Sequence, residues 1–173
     1  MIDAITKALA SITNPRFYET ERGFQGAFLA SLEGVIPNAA LPGGAIVEQE
    51  YQKRLQLHGI KLRPDIIVHV PTPIGGIRSN ENFIVFELKL AASGKEAQGD
   101  FESLDSIIAA LDYPIGVFIN IAAEETYAEE YTGPFRHRMQ FFAVRLAGER
   151  VLVRHAYFNG MQPVEEELDV TQE

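Results

Sequence analysis

The chain has 173 residues, of which 46% are hydrophobic and 23% are charged, a composition typical of one soluble globular domain. It contains no cysteine, which excludes disulfides, zinc–thiolate sites and thiol nucleophiles. No run approaches the roughly 18 consecutive apolar residues of a membrane-spanning helix, and Asp3 stands where a secretory signal would be basic. We therefore expect a cytoplasmic protein with no membrane partner.

The formal net charge of −9 argues at first against a nucleic-acid partner, because Lys and Arg normally contact phosphates. Much of this charge lies at the end of the chain. Residues 165–173 hold five acidic residues and no basic one, which is typical of a solvated tail. The sequence therefore predicts a single domain over residues 1–164 followed by an acidic C-terminal tail over residues 165–173.

The first half of the chain predicts a helix and then three strands. Phe24, Phe28 and Leu32 recur at the spacing of one helix face, and Pro64 favours extended geometry in the residue before it. The strongest strand signal, at residues 83–90, is apolar on both faces apart from two charges, as in a central strand covered on both sides. The predicted bounds are 16–36 for the helix and 45–52, 63–70 and 83–90 for the strands.

The second half predicts a crossover helix, a further strand and a hairpin. Strand, helix and strand in succession favour parallel pairing of residues 83–90 with residues 115–121. A Gly-containing turn at 147–150 separates two strand patterns, which favours a C-terminal β-hairpin. The predicted bounds are 96–111 for the helix, 115–121 for the strand, 123–131 for a short surface helix, and 139–146 with 151–158 for the hairpin.

The two charges in the strongest strand are the main functional signal. Side chains alternate faces along a strand, so Glu87 and Lys89 share one face. Burying such charges is costly unless they are paired or bind a metal ion. Asp65, at the start of the preceding strand, is placed to join them if the two strands form a hairpin. Two carboxylates, a backbone carbonyl and water suit Mg²⁺ or Mn²⁺, whereas the lack of cysteine and of a paired-histidine motif disfavours zinc.

These residues resemble the signature of the PD-(D/E)XK nuclease superfamily. Pro64-Asp65 is followed after 21 residues by Glu87-Leu88-Lys89, on two consecutive predicted strands. The resemblance spans roughly residues 16–121. It implies an α/β (α+β) restriction-endonuclease-like fold, in which helices flank a central mixed β-sheet. The expected core order is αβββαβ, with the C-terminal β-hairpin added.

The resemblance also implies roles for individual residues. Asp65 and Glu87, aided by the Leu88 carbonyl, would bind Mg²⁺ or Mn²⁺, and Lys89 would orient or deprotonate the attacking water. Glu21, on the inward face of the first predicted helix, would hold a water molecule of the metal ion or a second ion. The implied activity is that of a Mg-dependent endonuclease or phosphodiesterase, a hydrolase whose nucleic-acid partner we expect to be DNA.

Several alternatives remain open at this stage. The three charged residues could form a purely structural ion network, and the helix dipole favours an acid such as Glu21 in a first turn whatever its function. The domain could be a catalytically silent module that binds nucleic acid or protein. It could also be a structural subunit that uses residues 139–158 to form a homodimer or to bind a partner subunit.

Overall fold

The computed structural model describes residues 1–36, 41, 44–49, 63–71 and 82–168 of the chain. Within these residues, seven strands form one sheet and three α-helices pack on it. The helices are α1 (Ile2–Ala10), α2 (Glu21–Val35) and α3 (Gly94–Leu111). The strands are β1 (Ile46–Gln49), β2 (Ile66–His69), β3 (Asn82–Leu90), β4 (Ile115–Ile121), β5 (Met139–Ala147), β6 (Arg150–Asn159) and β7 (Gln162–Leu168).

The strands lie side by side in chain order, and their directions make the sheet mixed. Strands β1, β2 and β3 pair antiparallel, and so do β5, β6 and β7. Between these two groups, β3 pairs parallel with β4, and β4 pairs parallel with β5. Helix α3 makes the crossover from β3 to β4. In the strand order these two strands lie near the centre of the sheet.

Both faces of the sheet are covered by apolar side chains. On one face α1 and α2 pack against the sheet, and the rings of Phe28 and Phe86 lie 5.6 Å apart. On the other face α3 places Phe101 against Phe118 and Phe141, at centroid distances of 5.1 and 5.4 Å. Aromatic pairs in this edge-to-face geometry add to the stabilisation that burial alone provides. Strand β3 is therefore enclosed between two helical layers, as its apolar sequence predicts.

The predicted fold class is confirmed. The order α2, β1, β2, β3, α3, β4 reproduces the expected αβββαβ core, including the antiparallel β2–β3 pair and the parallel β3–β4 pair. The C-terminal hairpin is also present as β5 and β6. Among the described residues, no helix combines the length and the apolarity that crossing a membrane requires.

Other boundaries differ from those predicted. The helix expected over residues 16–36 is a 3₁₀ turn at Pro15–Tyr18 followed by α2, because the Thr20 side chain caps α2 by accepting a hydrogen bond from the Gly23 amide. The surface helix expected over residues 123–131 is reduced to one 3₁₀ turn at Ala128–Glu130. Part of the strand expected over residues 45–52 lies outside the described residues.

Two elements were missed, and one of them changes the interpretation of the tail. Helix α1 was not predicted. Residues 165–168 belong to β7 rather than to a solvated tail, and β7 pairs antiparallel with β6 along its length. Residues 169–173 lie outside the described residues. The acidic C-terminal segment is therefore in part a structured edge strand.

Candidate metal centre

The two predicted carboxylates meet where β2 and β3 run side by side. In the β2–β3 register Ile66 pairs with Phe86, so Asp65, one residue before β2, stands opposite Glu87. The two side chains are hydrogen-bonded to each other. The Leu88 amide donates a 2.7 Å hydrogen bond to Asp65 Oδ2 and fixes that carboxylate against β3. The structure thus brings together the acidic pair that sequence spacing alone suggested.

Strand alternation places this pair on the face that α3 covers. Val85 and Ile67 pack in the α3 layer. Glu87 lies two residues after Val85, and Asp65 lies two residues before Ile67, so both carboxylates are on that same face. Lys89 is the next residue of β3 on that face and is half-buried. Asp65, Glu87 and Lys89 therefore share one face of the sheet, as the sequence predicts.

Glu21 reaches the same region from α2, where it is the first helical residue. Its Oε2 accepts a 3.2 Å hydrogen bond from the Leu90 amide and lies 3.9 Å from the Lys89 Nζ. These contacts place Glu21 beside the lysine at the end of β3. Its suggested role in holding a water molecule or a second ion stays a prediction.

Asp100 of α3 also faces the site, and sequence analysis missed it. It is partly buried, and its carboxyl group interacts electrostatically with Asp65, Glu87 and Lys89. Its Oδ2 atom is buried and has no hydrogen-bond partner among the described residues. The signal that could have revealed it is its place on the apolar stripe of α3, between Ala97 and Leu104 at spacings of three and four.

Gln25 is a second residue that sequence analysis missed. It is buried on α2, four residues after Glu21, and its Nε2 donates a 2.8 Å hydrogen bond to the Asp65 carbonyl. This bond ties the segment before β2 to the helix. Helix α2 therefore fixes both the backbone of Asp65 and the end of β3 at Leu90.

The turn that connects β3 to α3 is held by a dense set of hydrogen bonds. The Ala91 amide donates to the Ile121 carbonyl at 2.7 Å, and the Ala92 amide donates to Asn120 Oδ1 at 2.9 Å. The Ala92 carbonyl accepts from the Tyr127 hydroxyl at 2.8 Å. A capping box between Ser93 and Glu96 then starts the helix. The position of α3, and hence of Asp100, relative to β3 is fixed by these contacts.

Burial and mutual repulsion make the carboxyl groups weak acids. Burial raises the pKa of Glu87 well above its ordinary value, and the charges of Asp65 and Asp100 raise it further. Burial also raises the pKa of Asp65, against the lowering effect of the Leu88 amide. Burial raises the pKa of Asp100 to about 6, although Lys89 opposes the shift. These groups hold protons readily in the absence of another positive charge.

We call Glu21, Asp65, Glu87, Lys89 and Asp100 the Glu87 cluster. It contains four carboxylates and a single ammonium group. Oxygen-rich, negatively charged sites of this kind suit Mg²⁺ or Mn²⁺, and the unpartnered Asp100 oxygen shows that the cluster has unused capacity to accept hydrogen bonds or cations. Within the described part of the chain, no three His, Asp or Glu residues lie close enough to ligate one ion together. The donor set therefore fits an ion held directly by the Asp65–Glu87 pair and completed by water.

No protein-family model matches the chain, and no curated protein matches it at a significant level. A solved structure of NucC from P. aeruginosa ATCC27853, in its cAAA-bound form, is similar with a TM-score of 0.56 and 10% sequence identity. The alignment covers 96% of this chain and 79% of the NucC chain. At this identity the likeness concerns the fold, and it agrees with the restriction-endonuclease-like architecture described above.

Proposed function

We propose that the protein is a metal-dependent nuclease that hydrolyses phosphodiester bonds in DNA. The observation that carries this function is the meeting of Asp65, Glu87 and Lys89 on one face of the sheet, in a cluster with more acidic than basic groups. The fold supports the same function, since the order of its core elements is that expected for a restriction-endonuclease-like enzyme.

The four cluster residues that the sequence predicts, Glu21, Asp65, Glu87 and Lys89, have distinct parts in this function. Asp65 and Glu87, with the Leu88 carbonyl, would hold Mg²⁺ or Mn²⁺. A divalent ion there would lower the pKa of bound water and offset negative charge on the phosphate. Lys89 would orient the attacking water or take its proton, and its ammonium form would stabilise negative charge on the phosphate. Glu21, whose Oε2 lies 3.9 Å from the Lys89 Nζ, would hold a water molecule of the ion or a second ion.

A catalytically silent binding module is the second candidate. One observation favours it: the hydrogen bond between Asp65 and Glu87 satisfies part of the acidic pair without any ion. A silent module in which Asp65 and Glu87 stay hydrogen-bonded to each other should bind Mn²⁺ weakly or not at all. Calorimetric titration with Mn²⁺ therefore separates the two candidates before any substrate is known.

Cleavage assays test the nuclease function directly. Purified protein is incubated with plasmid, linear duplex and single-stranded DNA, and with RNA, in the presence of Mg²⁺, Mn²⁺ or a chelator. We expect metal-dependent cleavage of DNA. Lys89→Ala should lower the rate by about 10²–10⁴-fold, the usual contribution of a positioned acid–base group, with little loss of folded structure.

Lys95→Ala is the matched control, because Lys95 is an exposed lysine in the first turn of α3. This variant should cut as fast as the parent protein. Absence of cleavage of every nucleic-acid form with both metals, or an unchanged rate in Lys89→Ala, would contradict the nuclease function.

A further inference from the structure

We propose that Asp100 is a further residue of the cation site and acts on the bound divalent ion through a water molecule. This inference deepens the function proposed above and rests on it. Neither the motif residues nor their spacing points to Asp100, which reaches the site from α3 rather than from the two motif strands.

The geometry of Asp100 indicates a missing partner. Its Oδ2 atom is buried but accepts no hydrogen bond within the described residues. Leaving a buried carboxylate oxygen without a donor is costly, so such atoms usually signal a water molecule or an ion. Asp100 lies on the same stripe of α3 as the fully buried residues Ala97 and Leu104, at the edge of the apolar layer.

The charges around Asp100 indicate what that partner is. Its carboxyl group is repelled by Asp65 and Glu21, it raises the pKa of Glu87, and Lys89 is the attractive group that acts on it most strongly. Lys89 lies within 4 Å of Glu21 and has no such contact with Asp100 in the described structure. A positively polarised donor, such as a water molecule in the shell of a divalent ion, satisfies Oδ2 and reduces the repulsion from both motif carboxylates.

Direct ligation by Asp100 does not fit the structure. No three acidic or histidine side chains of the described residues are close enough to share one ion. The β3–α3 turn holds the helix in place through the contacts of Ala91 and Ala92, so α3 is not free to move Asp100 toward the acidic pair. A water molecule between Asp100 and the ion would require no movement of the helix.

Calorimetric titration of the metal-free protein with Mn²⁺ tests this role without using activity. Asp100→Asn keeps the shape of the side chain but removes its charge. We expect its Mn²⁺ affinity to fall about 10–100-fold, the usual effect of losing a residue that supports a metal site from outside the ligand set. Glu102→Gln is the control, because it removes a carboxylate from the exposed side of the same helix and should leave the affinity unchanged.

Two further measurements exclude other roles for Asp100. The metal-free Asp100→Asn protein should melt at or above the temperature of the parent, because a carboxylate without a donor has been removed. A lower melting temperature would assign Asp100 a structural role and overturn the inference. Water-proton relaxation of bound Mn²⁺ should count the same number of waters on the ion in both proteins, whereas one additional water in the variant would show direct ligation and overturn the water-mediated contact.

The titrations also distinguish failure of this inference from failure of the nuclease function. A parent that binds Mn²⁺ and cuts DNA, together with an Asp100→Asn variant of equal affinity, overturns the role of Asp100 alone. A parent that binds no Mn²⁺ overturns both.

Discussion

Two groups of charged side chains in this protein differ in burial and in charge balance. The first is the Glu87 cluster. The second, which we call the Arg154 cluster, lies where β5, β6 and β7 meet the loop after β4. It consists of Arg145, Arg154, Glu124, Glu165 and Glu167. Both groups combine acidic and basic residues, and either could be described as an ion network from sequence alone.

The Arg154 cluster is partly exposed and internally paired. Arg145 lies 2.8 Å from Glu124, and Arg154 lies between 3.6 and 3.8 Å from each of three carboxylates. Arg154 and Glu124 are 37% and 47% exposed, so water screens their interaction. The Thr126 hydroxyl donates a further 2.6 Å hydrogen bond to Glu165. The members of the Arg154 cluster need no ligand, and each of their ion pairs stabilises this part of the sheet only weakly.

The Glu87 cluster has the opposite properties. Asp65, Glu87 and Asp100 are more buried, burial raises the pKa of each, and one Asp100 oxygen has no partner among the described residues. A structural ion network would be expected to resemble the Arg154 cluster, with near balance of charge and filled hydrogen bonds. The excess of buried acids in the Glu87 cluster therefore favours a site for a cation over a purely structural network.

The largest expected difference between the clusters is the response to a divalent ion. Mn²⁺ at about 100 times its dissociation constant adds about 2.7 kcal/mol to the stability of the folded state. For a domain of this size that corresponds to roughly 5–10 °C in melting temperature. Scanning calorimetry with and without Mn²⁺ at pH 8 measures the shift. Asp65→Asn should remove it, and Glu124→Gln in the Arg154 cluster should not.

The same shift should depend on pH in a defined direction. The folded pKa values of Asp65, Glu87 and Asp100 are raised, so the metal-free protein loses stability from these groups as pH rises through those values, near 6 for Asp100. The ion needs the deprotonated carboxylates, so its stabilising effect should be larger at pH 8 than at pH 5. An equal shift at the two pH values would show that Mn²⁺ binds elsewhere.

A smaller effect is expected from Glu87→Gln in the metal-free protein, and its sign is opposite to that of most core substitutions. Glutamine can still donate a hydrogen bond to Asp65 but has no charge to bury. Because burial and the neighbouring carboxylates raise the pKa of Glu87, its charged form is destabilised in the folded state, and the variant should be more stable than the parent at pH 8. Urea denaturation at pH 8 and pH 5 measures it, and the gain should shrink at pH 5.

Glu124→Gln provides the comparison for that measurement. It removes the carboxylate that pairs with both arginines of the Arg154 cluster, and should therefore lower stability slightly rather than raise it. A loss of stability in Glu87→Gln at pH 8 would show that Glu87 stabilises the fold, as a member of a structural network would.

The strand-borne part of the site could be predicted from the sequence because strands place residues by simple rules. Alternation along β3 puts Glu87 and Lys89 on one face, and the antiparallel pairing of β2 with β3 puts Asp65 opposite Glu87. Glu21 followed from helix periodicity. The fold class followed from the order of the patterns, because strand, helix and strand in succession impose a parallel pair.

The missed residues depend on the rotation and the contacts of whole elements. Asp100 joins the site only because the turn at Ala91 and Ala92 sets the orientation of α3, and Gln25 matters only because α2 crosses near Asp65. Strand β7 was missed for a related reason. Its glutamates are poor strand formers, and they are accommodated because Glu165 and Glu167 lie within 3.8 Å of Arg154 on β6.

The smallest expected effect is that of Arg154→Met, which keeps the apolar stem of the side chain and removes its charge. Exposed ion pairs contribute about 0.2–1 kcal/mol, so the variant should lose less than about 1 kcal/mol of stability. Because 1 M salt screens exposed charges over about 3 Å, the difference from the parent should shrink further in high salt. Urea denaturation at low and high salt measures both effects.

Cleavage and Mn²⁺ affinity should be unchanged in Arg154→Met, because Arg154 pairs with Glu165 and Glu167 of the edge strand β7 and with Glu124 of the loop after β4 rather than with Asp65 or Glu87. If the variant instead lost metal binding or cleavage, the two clusters would be coupled. Charge balance and exposure would then no longer distinguish a structural ion network from a functional site in this fold.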